Sequence, residues 1–171
     1  MASFGVAFDL MIRNEGGYVL HSVAGDNGGM TFAGIARNYH RNWAGWSIID
    51  AHGADDDRLA ALVQAFYRDR FWVRVAGDDI ADQDVANSLF DFAVNAGFRV
   101  AIRLAQAAVG VVVDGVLGPV SLSAINSVGA DDFRTRFALA KVARYAAIVN
   151  RDRSQGKFLL GWINRTLEMA A

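Results

Sequence analysis

Residues 3–17 read SFGVAFDLMIRNEGG, and this stretch decides the fold class. Its apolar residues recur at the spacing of one helix face. They are Phe4, Phe8 and Met11. Glu15 continues that face, and Gly16 and Gly17 end the periodic segment because glycine is a strong helix stop. The stretch therefore predicts an amphipathic first helix that ends at a carboxylate on its apolar side.

Helical patterns dominate the rest of the chain as well. They cover residues 33–46, 55–71, 83–95, 100–109, 131–150 and 157–169, with a further helix that begins at Pro119. Between the first two helices, residues 20–34 are rich in glycine, which favours a loop or short hairpin. The pattern predicts an all-α domain with one short irregular glycine-rich loop or hairpin after the first helix.

Composition excludes several classes of protein. The 171 residues carry a formal net charge of -1, which argues against a general nucleic-acid binder. With no cysteine and with His21, His40 and His52 far from helical spacing, we expect no disulfide, no thiolate chemistry and no metal cofactor. No apolar run is long enough for a membrane span, and the N-terminus lacks the pattern of a signal peptide. We expect a monomer made in the cytoplasm, without stable membrane insertion.

Glu15 is the first candidate for catalysis. It is one of only two glutamates, and it lies at the end of a predicted apolar face. A carboxyl on a partly dry face keeps its proton more readily, and glycosidases use such a protonated carboxyl as general acid. The two glycines that follow would let a bulky substrate approach. The alternative is a structural carboxylate that binds a core arginine, and the pattern alone leaves both open.

Asp26 and Thr31 follow Glu15 in the glycine-rich segment. An inverting glycosidase needs a second group that activates water across the scissile bond. Asp26 could polarise that water, and the Thr31 hydroxyl could position it. The alternatives are an Asx turn at Asp26 and an ordinary strand residue at Thr31, which local sequence alone favours.

Substrate-binding candidates come from aromatic and amide side chains. Tyr18 adjoins Glu15, and Asn95 could hydrogen-bond an N-acetyl group or simply end its helix before Gly97. Other aromatic residues offer stacking faces for sugars, but core packing is their more common role. They are Trp43, Trp46, Phe71 and Trp72.

Several ordered blocks of the sequence resemble glycoside hydrolase family 108. The blocks are Glu15–Val19, Asp26–Thr31, Gly34-Ile35, Tyr67–Trp72, Gly77-Asp78 and Asp91–Gly97. Two later blocks resemble the predicted peptidoglycan-binding segment of that family, namely Asp114–Pro119 and Phe158–Arg165. The stretch between Val19 and Gly28 departs from the family because it is one or two residues longer and has no proline.

The resemblance implies a lysozyme-like fold and an N-acetylmuramidase of the phage endolysin type, with Glu15 as catalyst. Its substrate would be the glycan strands of peptidoglycan, reached through a separate pore-former, and it would need no cofactor. Residues 1–97 would form the catalytic segment and residues 98–171 the peptidoglycan-binding segment, packed into one integrated domain. Two alternatives stay open: a lytic transglycosylase, and a non-catalytic wall-binding or secretion-related module.

Overall fold

The computed structural model describes residues 1–22 and 28–169, so Asp26 lies outside the described residues. The described chain contains eight α-helices. They are α1 (Phe4–Asn14), α2 (Gly45–His52), α3 (Arg58–Tyr67), α4 (Gln83–Ala96), α5 (Phe98–Val109), α6 (Pro119–Ser127), α7 (Ala130–Arg151) and α8 (Leu159–Glu168). A π-helical turn, Arg68–Trp72, continues α3, and 3-10 turns occupy Val73–Val75, Gly77–Asp79 and Arg153–Phe158. None of the helices in the described part is long and apolar enough to cross a membrane.

A small antiparallel sheet follows α1. Its strands are β1 (Leu20–Ser22), β2 (Met30–Phe32) and β3 (Ile35–Ala36), with β2 in the middle. Thr31 on β2 lies opposite His21 on one side and Ala36 on the other. The helix predicted over residues 33–46 is wrong, because β3 and a series of turns occupy most of that segment and α2 begins only at Gly45.

The chain divides into two compact units, and the first is Phe8–Arg70. Its buried side chains come from α1, the sheet, α2 and α3. They are Phe8, Met11, Phe32, Ile35, Trp46, Ile49, Leu59, Val63 and Tyr67. Tyr67 is 2% exposed, and its hydroxyl donates a hydrogen bond of 2.8 Å to the Ala33 carbonyl. The end of α3 is thus tied to the turn between β2 and β3.

The second unit consists of Met1–Ala7 and the chain from Phe71 onward. Phe4, Trp72 and Phe90 pack there as a cluster of rings, with centroid separations of 5.6 to 6.0 Å. The boundary predicted at residue 97 falls between α4 and α5, and both of these helices lie in this unit. The integration of residues 1–97 with 98–171 stays a prediction.

Gln106 organises the turn that leads into α6. Its side chain is fully buried on α5 and accepts a hydrogen bond of 2.9 Å from the Gly115 N–H. Its amide donates to Asp114 at 2.8 Å and to the Ser121 hydroxyl at 3.0 Å. The bonds from Gln106 and from the Val116 N–H lower the pKa of Asp114. Pro119 then begins α6, where proline needs no hydrogen-bond donor.

Charged residues lie in the interior between α4, α7 and α8. Asp91 on α4 is 3% exposed and receives two hydrogen bonds from the Arg165 guanidinium on α8, at 2.8 and 3.1 Å. Lys141 on α7 is 2% exposed and donates to the Ser88 hydroxyl at 3.1 Å. Its ammonium also lies 4.4 Å from the centre of the Phe137 ring. Burial lowers the pKa of Lys141 to about 8, although the charge of Asp91 opposes this effect.

The buried amine makes stability depend on pH in a definite direction. The folded pKa of Lys141 lies below its ordinary 10.5, so the unfolded chain holds more protons between these two values. Stability from this group therefore rises with pH over that window. Lys141→Met lacks the titrating group and serves as the reference. When the pH rises from about 7 to about 9.5, we expect the free energy of unfolding of wild type to increase by about 2 kcal/mol more than that of Lys141→Met. Denaturant unfolding of both proteins at both pH values measures this difference in free energy. A difference that is the same at the two pH values would contradict a buried lysine that titrates in this range.

Candidate functional site around Glu15

Glu15 lies directly after the last residue of α1. Its N–H donates to the Met11 carbonyl at 3.0 Å, so the helical hydrogen bonding extends to this residue. Gly16 and Gly17 follow with φ of +87° and +80°, a region that residues with side chains rarely adopt. The Gly17 N–H turns back to the Ile12 carbonyl at 2.8 Å. The chain therefore reverses sharply beside the half-buried Glu15 side chain.

Gly34 lies against the Glu15 carboxyl. A Cβ built on Gly34 would lie 3.3 Å from Oε2 of Glu15 and would overlap the Tyr67 hydroxyl oxygen. Gly34 has φ of +78°, and Ala33 before it has φ of +49°, an unusual conformation for a residue with a side chain. The hydrogen bond from Tyr67 to Ala33 holds this turn. Three elements thus meet here: the end of α1, the turn between β2 and β3, and the end of α3.

Thr31 is a buried strand residue. Its side chain is on the central strand β2, the residue is 9% exposed, and its hydroxyl donates a long hydrogen bond of 3.4 Å to the Gly29 carbonyl. The backbone of Thr31 is that of a strand residue, as the alternative interpretation from the sequence expected. A role for Thr31 and Asp26 in water activation stays a prediction, and Asp26 lies outside the described residues.

Tyr18 presents an aromatic ring close to Glu15 in the sequence. The residue is 42% exposed, and its ring centre is 6.3 Å from that of Phe32. Partial burial, helped by the charge of Asp9, raises the pKa of the Tyr18 hydroxyl. The hydroxyl therefore remains protonated and can donate a hydrogen bond at neutral pH.

Asn95 belongs to the other compact unit. It is exposed in the last turn of α4, two residues before Gly97, whose φ of +88° ends the helix. It borders a small cleft together with Asp91, Tyr145 and Arg165. Its predicted contact with an N-acetyl group stays a prediction.

The remaining aromatic candidates divide by burial. Trp46 is 3% exposed and Trp72 is fully buried, so both are core residues. Trp43 is half-buried, stacks on Phe32 at 6.1 Å and donates from Nε1 to the Leu62 carbonyl at 3.4 Å. Tyr67 is not among the site residues predicted from the sequence. The signal that could have identified it is that both Gly34 and Tyr67 lie in blocks that resemble the family.

Comparison with known families identifies the first part of the chain. Residues 8–97 match the family described as Glycosyl hydrolase 108, and this range includes Glu15, Gly34 and Tyr67. The chain belongs to glycosyl hydrolase family 108. Residues 100–167 match a family described as Predicted Peptidoglycan domain. Together these matches support a peptidoglycan hydrolase.

A solved structure supports the fold. The structure of Brucella abortus SagA is similar over 98% of this chain and 95% of that chain, with a TM-score of 0.68 and 27% sequence identity. The all-α, lysozyme-like fold expected from the sequence is confirmed. A comparison with curated protein sequences found no match.

The close approach of Gly34 to Glu15 generates a prediction for this glycosyl hydrolase. Gly34→Ala adds a methyl group that must displace the Tyr67 hydroxyl and crowd the carboxyl of Glu15. Glu15 is the candidate acid, and a small displacement of a reacting group slows a reaction by about tenfold or more. We therefore expect digestion of purified sacculi to slow by about tenfold or more. Initial rates of sacculus clearing, with melting temperatures recorded in parallel, measure the effect.

Gly53→Ala is the matched control. Gly53 also has a positive φ, +89°, but a Cβ there would meet no atom within 4 Å. Both substitutions place a side chain at a positive φ, and only Gly34→Ala crowds the site. Equal rates of digestion for the two variants would show that the contact between Gly34 and Glu15 has no functional weight.

Proposed function

We propose that this protein cleaves the β-1,4 bond between N-acetylmuramic acid and N-acetylglucosamine in peptidoglycan, with Glu15 as general acid. The observation that carries the proposal is the setting of the Glu15 carboxyl. It is half-buried, follows the last turn of α1 and packs against a glycine that the matched family region includes. In this reaction Glu15 protonates the leaving glycosidic oxygen, and no metal or organic cofactor is required.

The local architecture suits the approach of a bulky substrate to this acid. Gly16 and Gly17 have open space where a Cβ would be, so neither residue shields Glu15 with a side chain. Tyr18 follows them with an exposed ring that can stack on a sugar or donate a hydrogen bond from its hydroxyl. These features support an acid presented at an accessible edge of the Phe8–Arg70 unit.

Hydrolysis also requires an attacking water on the other side of the scissile bond. We assign its activation to Asp26 and its positioning to Thr31, which makes the enzyme inverting. Thr31 is buried and lies on the central strand, a placement that suits a group that must hold a water in place. Asn95 is proposed to bind an N-acetyl group of the substrate. A role as a monomeric endolysin, released from the cytoplasm by a separate pore-former, belongs to the same proposal.

Replacement of the acid tests the core of this proposal. Glu15→Gln keeps the shape of the side chain but removes the transferable proton, so we expect sacculus digestion to fall by about 10²–10⁴-fold while binding persists. Digestion is measured by the release of soluble muropeptides, and binding by co-sedimentation with sacculi. Glu168→Gln is the control, because Glu168 is the only other glutamate and lies exposed at the end of α8.

The outcomes for the two glutamates separate the alternatives. Loss of digestion in Glu15→Gln alone supports the assignment of the acid. Full digestion by Glu15→Gln would show that another residue acts as the acid. If the wild-type protein binds sacculi but does not digest them, it is a non-catalytic wall-binding module.

Product analysis tests the role of water. A hydrolase releases a reducing sugar that is one water heavier than the 1,6-anhydro product of a lytic transglycosylase. We expect the reducing product, first formed as the α-anomer because inversion converts the β-linkage. Mass spectrometry and time-resolved NMR of the digest measure these two properties.

Variants at the two water-handling residues complete this test. We expect Asp26→Ala and Thr31→Val each to lower the digestion rate without changing the product. Anhydro products, or full activity in both variants, would favour the transglycosylase.

A further inference from the structure

A cavity of about 390 Å³ opens within the Phe8–Arg70 unit. Its walls come from residues 39–44 between the sheet and α2, from the second half of α3 and from the π-helical turn that follows. Glu15 is not among the residues that line it. The volume is in the range of pockets that hold small ligands, and no step of the proposed reaction uses this cavity.

Two guanidinium groups dominate the charge of this cavity. Arg41 and Arg70 line it, together with one acidic residue, Asp69. Within the described part of the chain, neither arginine has a carboxylate within 4 Å. Arg70 instead lies 5.2 Å over the centre of the Phe66 ring. Stacking of this kind orients a guanidinium and leaves the N–H donors at its edge for a ligand.

His40 contributes an imidazole but no charge. Burial, and then the nearby charge of Arg70, lower its pKa, so the ring is mainly neutral at pH 7. Its ring packs edge-on against Phe66 at 4.8 Å, and among the described residues its buried Nδ1 has no hydrogen-bond partner. With two arginines, one aspartate and a neutral histidine, the cavity has a formal charge of +1.

Apolar atoms form the rest of the wall. Trp43, Leu62 and Ala65 line the cavity beside the charged groups. Tyr39 at the rim is 68% exposed, which leaves its ring accessible. A ligand that satisfies both parts of the wall combines one negative charge with a small alkyl group.

We propose that this cavity binds the carboxylate end of a short peptide whose last residue is alanine. The carboxylate would accept hydrogen bonds from Arg41 and Arg70, in the paired geometry that guanidinium groups favour. The methyl group would contact Leu62 and Ala65. A phosphate dianion fits less well, because it would exceed the +1 charge of the cavity and face Asp69. Peptides that end in alanine occur both in the stems of bacterial cell walls and at the ends of protein chains.

NMR titration of the full, ¹⁵N-labelled chain tests the proposal. The probes are N-acetyl-D-alanyl-D-alanine, its L,L isomer, the C-terminal amide of each and inorganic phosphate. We expect saturable shifts of the Arg41 and Arg70 Nε–H signals and of the Trp43 indole N–H with at least one free acid, in the millimolar range. The amides should give none. Tighter binding of the D,D isomer would assign the site to wall peptides, and tighter binding of the L,L isomer would assign it to protein C-termini.

Variants connect the signal to the cavity. Both arginines are exposed, so Arg41→Gln/Arg70→Gln is expected to fold, and it should weaken binding of the free acid by at least about tenfold. Arg58→Gln, an exposed arginine of the same unit that does not line the cavity, should bind as wild type does. Equal shifts with acid and amide, no saturable shift, equal or tighter binding of phosphate, or unchanged affinity in the double variant would each overturn the proposal.

The same titration on Glu15→Gln separates this proposal from the catalytic one. Because Glu15 does not line the cavity, we expect the inactive variant to bind the peptide with the affinity of wild type. Loss of peptide binding in Glu15→Gln would overturn the independence of the two sites. Loss of sacculus digestion in Glu15→Gln tests only the proposed catalytic role of Glu15.

Discussion

The hydrogen bond from the Tyr67 hydroxyl to the Ala33 carbonyl is the interaction on which the arrangement around Glu15 depends. Both partners are buried, so an unpaired carbonyl at Ala33 would be costly. The bond keeps Ala33 and Gly34 in left-handed conformations that are uncommon away from glycine. Those conformations bring the Gly34 backbone against the Glu15 carboxyl. A bond contributed by α3 thereby sets the surroundings of a residue at the end of α1.

The second unit is organised by a different buried contact. Asp91 and Arg165, from α4 and α8, form a bidentate pair in which the aspartate is almost fully buried. Asp91 belongs to the region matched by the glycosyl hydrolase family, and Arg165 belongs to the region matched by the peptidoglycan domain. Helix α8, from the region matched by the peptidoglycan domain, thus packs on α4, from the region matched by the glycosyl hydrolase family. A boundary between two sequence families does not coincide here with a boundary between compact units.

The predictions succeeded for helices whose bounds follow from residues within the helix itself. Phe4, Phe8 and Met11 predicted α1, and Pro119 predicted the first residue of α6, because periodicity and chain stiffness are local properties. The prediction failed over residues 33–46. Apolar residues there have helical spacing, but pairing with β2 and the turn at Gly34 override it. Local propensity is a weak guide when tertiary contacts compete with it.

The amino-acid sequence by itself determined the all-α class, the end of the first helix at two glycines and the selection of Glu15 among two glutamates. Each of these depends on neighbouring residues or on composition. Tertiary structure alone decided that Tyr67 and Gly34 border the Glu15 carboxyl, that the Lys141 side chain is buried, and that Arg41 and Arg70 share one cavity. These residues are separated by many positions in the chain, and only the packing of side chains between elements brings them within contact distance.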